Sequence, residues 1–244
     1  MSIILAIETS SELASCALLD GDAIRSRDAA GVRTHSQSIL PMVQELLAEA
    51  GIALADCDAI AYGSGPGSFT GVRTACGVAQ GLAFGANLPV VPVVTLEAMA
   101  LACHQQRPAR PGAQDDILAV LDARMGEVYW AQYRVDAAGT LNTVTAPVLS
   151  APAGVLPSGP VLACGNGLQA YAADFAGMAF AAGGQASVMP HAVQVGQLAR
   201  LAFDAGHSVS AAEAQPLYLR NKIAYTSAER LEIKTAKAAA EAAA

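Results

Sequence analysis

The chain has 244 residues, 53% of them hydrophobic, with a formal net charge of −7. This composition excludes a disordered chain and favours one large or two small folded domains. No Lys/Arg run supplies the basic patch with which proteins hold nucleic acid, so we do not expect the chain to bind nucleic acid through its own surface. The N-terminus does not resemble a signal peptide, and no stretch reaches the roughly 18 apolar residues of a spanning helix. We expect a cytoplasmic protein without membrane contact.

The first part of the chain predicts three strands, Ile3–Ile7, Ala14–Leu19 and Ala23–Asp28, followed by a helix. Ser38 is the predicted N-cap of this helix, Pro41 lies in its first turn, and Gly51 follows its end near Glu49. Its apolar residues cover an arc of roughly 160°, wider than the stripe of about 100° that one packing surface needs. We therefore expect two packing surfaces, formed by Ile39, Leu40, Met42, Val43, Leu46, Leu47 and Ala50.

A glycine-rich loop, Gly63–Gly71, follows the predicted strand Ala59–Tyr62 and precedes a helix over Val72–Phe84. Such a loop can bind an anion through backbone N–H groups, but a structural turn is the favoured interpretation because the P-loop lysine and the dinucleotide glycine spacing are absent. Gly77 and Gly81 lie one turn apart in the helix, each at a cost of about 1 kcal/mol relative to Ala. This spacing predicts the close approach of another backbone.

The second half repeats the pattern. A strand over 89–94 and a helix over 95–105 lead to a predicted linker over 107–116, and strands are expected at 117–121, 127–133, 144–149 and 161–163. The turn Gly165–Gly167 should lead into a helix, and a further helix is expected over 191–205. This repetition predicts an α/β fold with two related lobes, 1–106 and 117–215. After them we expect a C-terminal segment over 216–234, extended at its start, that packs back on the lobes, and a frayed tail over 235–244.

Candidate catalytic residues are few. A carboxylate at the end of a strand can hold a metal ion through water. Glu8, beside Thr9, has such a position, and so do Asp122 and Glu127 at the second turn. A solvated turn is the favoured interpretation for both. The histidines are too far apart for a helical metal pair, and no serine nucleophile elbow is present. The scattered cysteines indicate buried thiols in a reducing compartment. These residues are His35, His104, His191 and His207, and Cys16, Cys57, Cys76, Cys103 and Cys164.

Five blocks resemble the TsaB (YeaZ) family in order along the chain: Ile4–Ser10, Gly65–Arg73, Asp122–Tyr129, Gly165–Gly167 and Pro216–Arg220. The resemblance implies the actin-like ATPase fold of the sugar kinase/Hsp70/actin group, related to RNase H. It also implies a catalytic paralogue, TsaD, whose metal-binding histidines correspond approximately to Thr95 and Met99 here. Neither side chain replaces imidazole as a ligand. The resemblance thus predicts a subunit without a metal site or a tightly bound cofactor.

The resemblance further implies a role in forming threonylcarbamoyladenosine (t6A) at adenosine 37 of tRNAs that read ANN codons. The chain would bind TsaD, with the ATPase TsaE joining the complex, or it would bind a second copy of itself when TsaD is absent. The complex would use ATP and Mg. The chain would contact tRNA only through the complex. The partner surface would lie on the first two long helices, at Ile39, Leu40, Met42, Val43, Leu46, Leu47, Arg73, Gly77, Val78 and Gly81.

Two enzyme alternatives remain. In the first, the chain is an actin-like ATP-binding phosphotransferase or ATPase that acts alone and holds Mg-ATP between its lobes. The candidate nucleotide or phosphate contacts are Glu8, Thr9, Gly65, Gly67, Ser68 and Arg124, with Asp122 as a further carboxylate. In the second, the chain is a metallopeptidase, which the scattered histidines disfavour.

Overall fold

The computed structural model describes residues 2–29, 35–107, 115–137 and 139–220, and it confirms the α/β class. The first sheet has the strand order β3-β2-β1-β4-β5, in which β1, β2 and β3 are antiparallel while β4 and β5 run parallel to β1. Its strands are β1 (Ile4–Glu8), β2 (Ala14–Asp20), β3 (Ala23–Ala29), β4 (Ala59–Gly65) and β5 (Val90–Val94).

The second sheet has the order β8-β7-β6-β9, with three antiparallel strands and β9 parallel to β6. This arrangement repeats β3-β2-β1-β4 of the first sheet, so the two lobes are related and the fold is actin-like. The strands are β6 (Asp115–Arg124), β7 (Glu127–Val135), β8 (Leu141–Ser150) and β9 (Leu162–Cys164). Asp115 and Asp116, assigned to the linker from sequence, belong to β6.

The helices are α1 (His35–Ala50), α2 (Phe69–Ala86), α3 (Thr95–Gln105), α4 (Gly167–Ala170) and α5 (Ala192–Asp204), with 3₁₀ turns at Leu54–Asp56 and Pro152–Gly154. α1 and α2 cover one face of the first sheet and α5 covers the other. The helix expected after Gly165–Gly167 is only the short α4. No helix in the described ranges is long and apolar enough to cross a membrane.

The start of α1 differs from the prediction. The helix is already formed at His35, so Ser38 is not its N-cap, and Pro41 lies in the helix interior. The proline removes one N–H donor, which would otherwise reach the carbonyl of residue 37. Pro41 lies on the exposed side of α1, where water can satisfy that carbonyl.

The start of α2 also differs, because it begins at Phe69 and not at Val72. Ser68 is its N-cap, and the Ser68 hydroxyl accepts a hydrogen bond from the Gly71 N–H at 3.4 Å. The last residues of the glycine-rich loop are therefore already helical.

Two helices, α3 and α5, pack on the sheet of the other lobe. α3 precedes the predicted boundary, yet most of its buried residues pack on the second sheet with β6 and β7. α5 follows the boundary, yet it packs on the first sheet through Ala192, Val195 and Ala199. The predicted lobes, 1–106 and 117–215, therefore divide the sheets but not the helices. Residues 221–234 and the tail over 235–244 lie outside the described residues.

Candidate functional site

The turn after β1 is buried beneath the glycine-rich loop. Glu8 and Thr9 are fully buried and Ser10 is 1% exposed, so the interpretation of Glu8 and Thr9 as a solvated turn is wrong. The Ser68 N–H donates to the Ser10 carbonyl at 2.7 Å, and the Thr9 hydroxyl donates to the Gly71 carbonyl at 2.6 Å. These bonds fix the loop and the first turn of α2 on the end of β1.

Close contact with this buried turn explains three glycines of the loop. A Cβ at Gly63 would lie 1.7 Å from a Glu8 carboxylate oxygen, and one at Gly71 would lie 1.9 Å from the Thr9 carbonyl oxygen. At Gly67 the distance to the Ser10 carbonyl oxygen would be 2.5 Å. Packing within the chain is thus sufficient to require glycine at these positions, without a bound anion.

Glu8 is enclosed and does not line a cleft. The Ser10 N–H donates to its Oε1, while no described residue donates to its Oε2. Burial raises the pKa of this carboxyl from 4.5 to about 6, and the hydrogen bonds from the turn oppose this rise only partly. Because its oxygens face the backbone of Gly63, Glu8 is poorly placed to hold a metal ion through water.

A cleft of about 590 Å³ lies between the lobes. Its polar groups include side chains from the turn after β1, from the end of β6 and from the N-cap of α2, and chain segment 217–220 forms part of its wall. The lining includes Ser10, Ser11, Glu12, His35, Gly67, Ser68, Phe69, Val72, Leu121, Asp122, Arg124, Met125, Tyr129, Asn166 and Arg220.

The β6–β7 hairpin is held by hydrogen bonds within the chain. The Asp122 carboxylate accepts the Arg124 N–H at 2.7 Å and the Tyr171 hydroxyl at 3.1 Å, and its side chain is only 8% exposed. It is therefore not a solvated carboxylate. The Arg124 guanidinium pairs with Asp122 at 3.1 Å and, across the cleft, with Glu12 at 2.9 Å. Arg124 and Met125 both have positive φ angles, 61° and 59°, which bulky residues rarely adopt.

Residues 214–220, here called the C-terminal strap, connect the two lobes. The Leu217 N–H donates to the Ser64 carbonyl at 2.8 Å, which attaches the strap to the first lobe beside β4. Arg220 binds the second lobe, where its guanidinium pairs with Glu127 at 2.6 Å and donates to the Arg124 carbonyl at 3.3 Å. The extended sequence of 216–220 was predictable, but the residues that it contacts were not.

Arg73, a predicted partner-interface residue, is engaged within the chain. Its guanidinium lies 3.5 Å from the centroid of the Phe69 ring, and its Nε donates to the Tyr218 hydroxyl at 2.7 Å. A cation over an aromatic face is attracted by the ring quadrupole. Arg73 therefore fastens the strap to the start of α2.

The apolar residues of α1 mostly belong to the core of the first lobe. Four predicted interface residues are at most 7% exposed: Ile39, Met42, Val43 and Leu46. Their burial accounts for most of the wide apolar arc, because they pack against the first sheet. Leu40 is 46% exposed and Leu47 is half-buried, so of the interface residues predicted on α1 these two remain available to a partner.

α2 presents a different surface. Gly77 and Gly81 are exposed and Val78 is half-buried, and a Cβ at either glycine would meet no described atom within 4 Å. The expected close backbone neighbour is thus not within the described part of this chain. Phe84, three residues after Gly81, is 84% exposed. Sequence reasoning missed Phe84, although its i+3 spacing places it beside Gly81 on the helix.

The two positions at which the family resemblance places the paralogue's metal ligands, Thr95 and Met99, have structural roles here. Thr95 is fully buried, and its hydroxyl accepts a hydrogen bond from the Gly65 N–H at 3.1 Å. Met99 is also fully buried, and its methyl group approaches Gly165, where a Cβ would lie 2.7 Å away. Within the described ranges no three His, Cys, Asp or Glu side chains cluster as metal ligands. Absence of a metal from the whole chain stays a prediction.

Comparison with known proteins gives consistent relatives. A family model described as TsaD, tRNA N6-adenosine threonylcarbamoyltransferase, matches residues 27–244. The Escherichia coli tRNA threonylcarbamoyladenosine biosynthesis protein TsaB is 39% identical over 229 residues, covering 91% of this chain and 96% of that protein. The Haemophilus influenzae TsaB is 37% identical over 232 residues, covering 91% and 95%.

Two solved structures from Pseudomonas aeruginosa are similar along their whole length. One is YeaZ, with a TM-score of 0.80, and the other is a protein described as similar to the peptidase YeaZ, with a TM-score of 0.82. Both are 38% identical to this chain and cover 90% of it and 100% of themselves.

Proposed function

This chain belongs to the TsaB (YeaZ) family, and we propose that it is the non-catalytic subunit that binds TsaD during formation of t6A in tRNA. Its role is to hold the catalytic paralogue in a productive state, with TsaE joining the complex. In the absence of TsaD, the same surface pairs two copies of the chain. ATP and Mg are used by the complex and are not bound tightly by this chain.

The exposed face of α2 is the observation that carries this proposal. Gly77 and Gly81 lower the helix propensity of α2 without packing against any described residue. A large exposed aromatic side chain, Phe84, lies beside them. Small residues that admit a close backbone, next to an aromatic anchor, are the features of a helix that packs against a partner helix.

Two further observations support a subunit without catalysis of its own. Thr95 and Met99 are buried in the core, and Glu8 is enclosed beneath Gly63.

The net charge of −7 opposes direct binding of tRNA, which agrees with contact through the complex.

Reconstitution tests the proposal. TsaD, TsaE and tRNA from the same organism, supplied with the threonylcarbamoyl donor and ATP, should form t6A only when this chain is added. The chain alone should form none. Equal t6A formation with the chain omitted would contradict the proposal, and so would t6A formation by this chain without TsaD.

A second candidate, an ATP-binding protein of the actin-like class that acts alone, is favoured by the interlobe cleft. The N-terminal turn of α2, with Gly67 and Ser68, borders a cavity of a size that holds small ligands. A helix N-terminus suits a phosphate group, whereas enclosed Glu8 is poorly placed to hold its magnesium.

Isothermal titration of the purified chain with Mg-ATP separates the two candidates. Under the first proposal, neither tight binding nor ATP turnover occurs without TsaD and TsaE. Micromolar binding accompanied by turnover would favour the enzyme.

A further inference from the structure

We propose that Cys103 and Cys164 form an oxidisable dithiol that fastens α3 to β9 through a disulfide when a small-molecule disulfide reaches it. The site is independent of the proposed partner binding. Cys103 lies near the end of α3 and Cys164 is the last residue of β9, and both are fully buried in the core of the second lobe.

The two thiols converge on one turn of α3. The Cys164 Sγ lies 4.0 Å from the Met99 carbonyl oxygen. In an α-helix this carbonyl accepts the N–H of residue 103, so the Cys164 sulfur reaches the turn that carries Cys103. Gln185 contacts both residues, since its backbone pairs with that of Cys164 and its Oε1 accepts the Cys103 thiol at 3.6 Å.

The chemistry of the pair favours attack by Cys103. A hydrogen bond from the Cys164 thiol lowers the pKa of Cys103, and the nearby Arg107 guanidinium lowers it further. The same hydrogen bond, together with burial, raises the pKa of Cys164 well above its ordinary value. The thiolate is the nucleophile in disulfide exchange, so Cys103 is the attacking sulfur and Cys164 the resolving one.

The reaction balances with one small disulfide, such as oxidised glutathione. Cys103 gives its proton to water, and its thiolate attacks one sulfur of the oxidant; a mixed disulfide forms and the other sulfur leaves as a thiolate. Cys164 transfers its proton to that thiolate and attacks the Cys103 sulfur. The second sulfur of the oxidant then leaves as a thiolate and takes up from water the proton that Cys103 lost. The chain loses two electrons and two protons, and one disulfide of the oxidant becomes two thiols.

Access to the buried pair requires local opening. Its neighbour Gln185 lies in residues 171–190, which contain turns and an isolated bridge but no helix or regular strand. Segments of this kind open at lower free energy than core helices and strands. Oxidation is therefore expected to be slow, at a rate set by that opening.

The other three cysteines provide internal controls. Cys16 and Cys76 donate to the backbone carbonyls of Ile39 and Ala214, and among the described residues neither they nor Cys57 bond to another thiol. The matched control is Cys16→Ser, which removes a buried thiol without a thiol neighbour.

The test incubates the folded chain with oxidised glutathione to constant mass, alkylates it in denaturant, and maps its peptides. Wild type and Cys16→Ser should lose two hydrogens and yield one cross-linked Cys103–Cys164 peptide, whereas Cys103→Ser and Cys164→Ser should yield none. The oxidised wild type should melt several degrees higher, because the bond closes a long loop. The proposal would be overturned if all five cysteines of the wild type were alkylated, if glutathione adducts formed without the cross-link, or if other cysteines paired. The wild-type peptide map decides between these results even if a variant misfolds.

Discussion

At the residue scale, the buried carboxyl of Glu8 shows how closely the glycine-rich loop is fitted to β1. The side chain is buried, and one oxygen lacks a donor among the described residues. Its raised pKa, about 6 against 4.5, means that the folded state holds this proton more tightly than the unfolded chain does. The stability contributed by Glu8 is thus fully present below pH 4.5 and is lost as pH rises through 6.

Replacing Glu8 with Gln should remove this pH dependence. Between pH 4.5 and 6.5 the wild type should lose about 1.5 kcal/mol of unfolding free energy relative to Glu8→Gln. Urea unfolding at a series of pH values measures this difference, with Glu12→Gln as the control because Glu12 is an exposed carboxylate of the same turn. A constant difference between wild type and Glu8→Gln across the range would refute the raised pKa.

The glycines of α2 make a second prediction at this scale. Gly71→Ala should cost roughly 3 kcal/mol or more, because the new Cβ meets the fixed Thr9 carbonyl. Gly77→Ala should instead stabilise the chain by about 1 kcal/mol, because its Cβ meets no described atom and alanine favours the helix. Thermal or urea unfolding of the pair measures both signs. Similar losses in both variants would show that Gly77 is also packed within the chain.

At the element scale, local pattern and tertiary packing can be separated. Periodicity and the glycine-rich loop predicted α1 and α2, and the glycine spacing singled out a face of α2 that packs against no described residue; the close approach of another backbone to that face stays a prediction. Periodicity could not show which part of the apolar arc of α1 is buried, because the first sheet, which covers Val43, is assembled from strands that are distant in sequence. The exchange of α3 and α5 between the sheets was equally inaccessible, since it depends on long-range packing.

The candidate site was predictable only in part. Gly65, Gly67, Ser68 and Arg124 were singled out as possible phosphate contacts, and the last three of them line the cleft. Gly65 instead faces the strap, where a Cβ would lie 2.8 Å from the Leu217 carbonyl oxygen. The sequence pattern does not reveal that contact, because it joins residues that are 152 positions apart.

At the scale of the whole molecule, the C-terminal strap ties the lobes together at the cleft. Arg220→Ala should remove the pairing with Glu127 and the bond to the Arg124 carbonyl, at a cost on the order of 1–3 kcal/mol. Hydrogen exchange should then accelerate at Leu217 and in the β6–β7 hairpin. The control is Arg134→Ala, because Arg134 pairs with Asp116 inside the second sheet. Unchanged exchange at Leu217 in Arg220→Ala would mean that the strap is held without its second-lobe contact.

The proposed role of the molecule rests on the exposed face of α2. Gly81→Leu adds a large side chain at an exposed helix position where the Cβ would meet no neighbouring element, so the fold should be kept and the helix favoured. The same side chain should block the close approach of TsaD. Leu201→Asp is the control, because Leu201 is 66% exposed on α5, which covers the opposite face of the first sheet.

The most direct measurement is size-exclusion chromatography of each variant mixed with TsaD. Gly81→Leu should elute apart from TsaD, with a melting temperature equal to or above that of the wild type, while Leu201→Asp should co-elute with TsaD as the wild type does. A Gly81→Leu chain that still forms the complex with wild-type affinity would contradict the account.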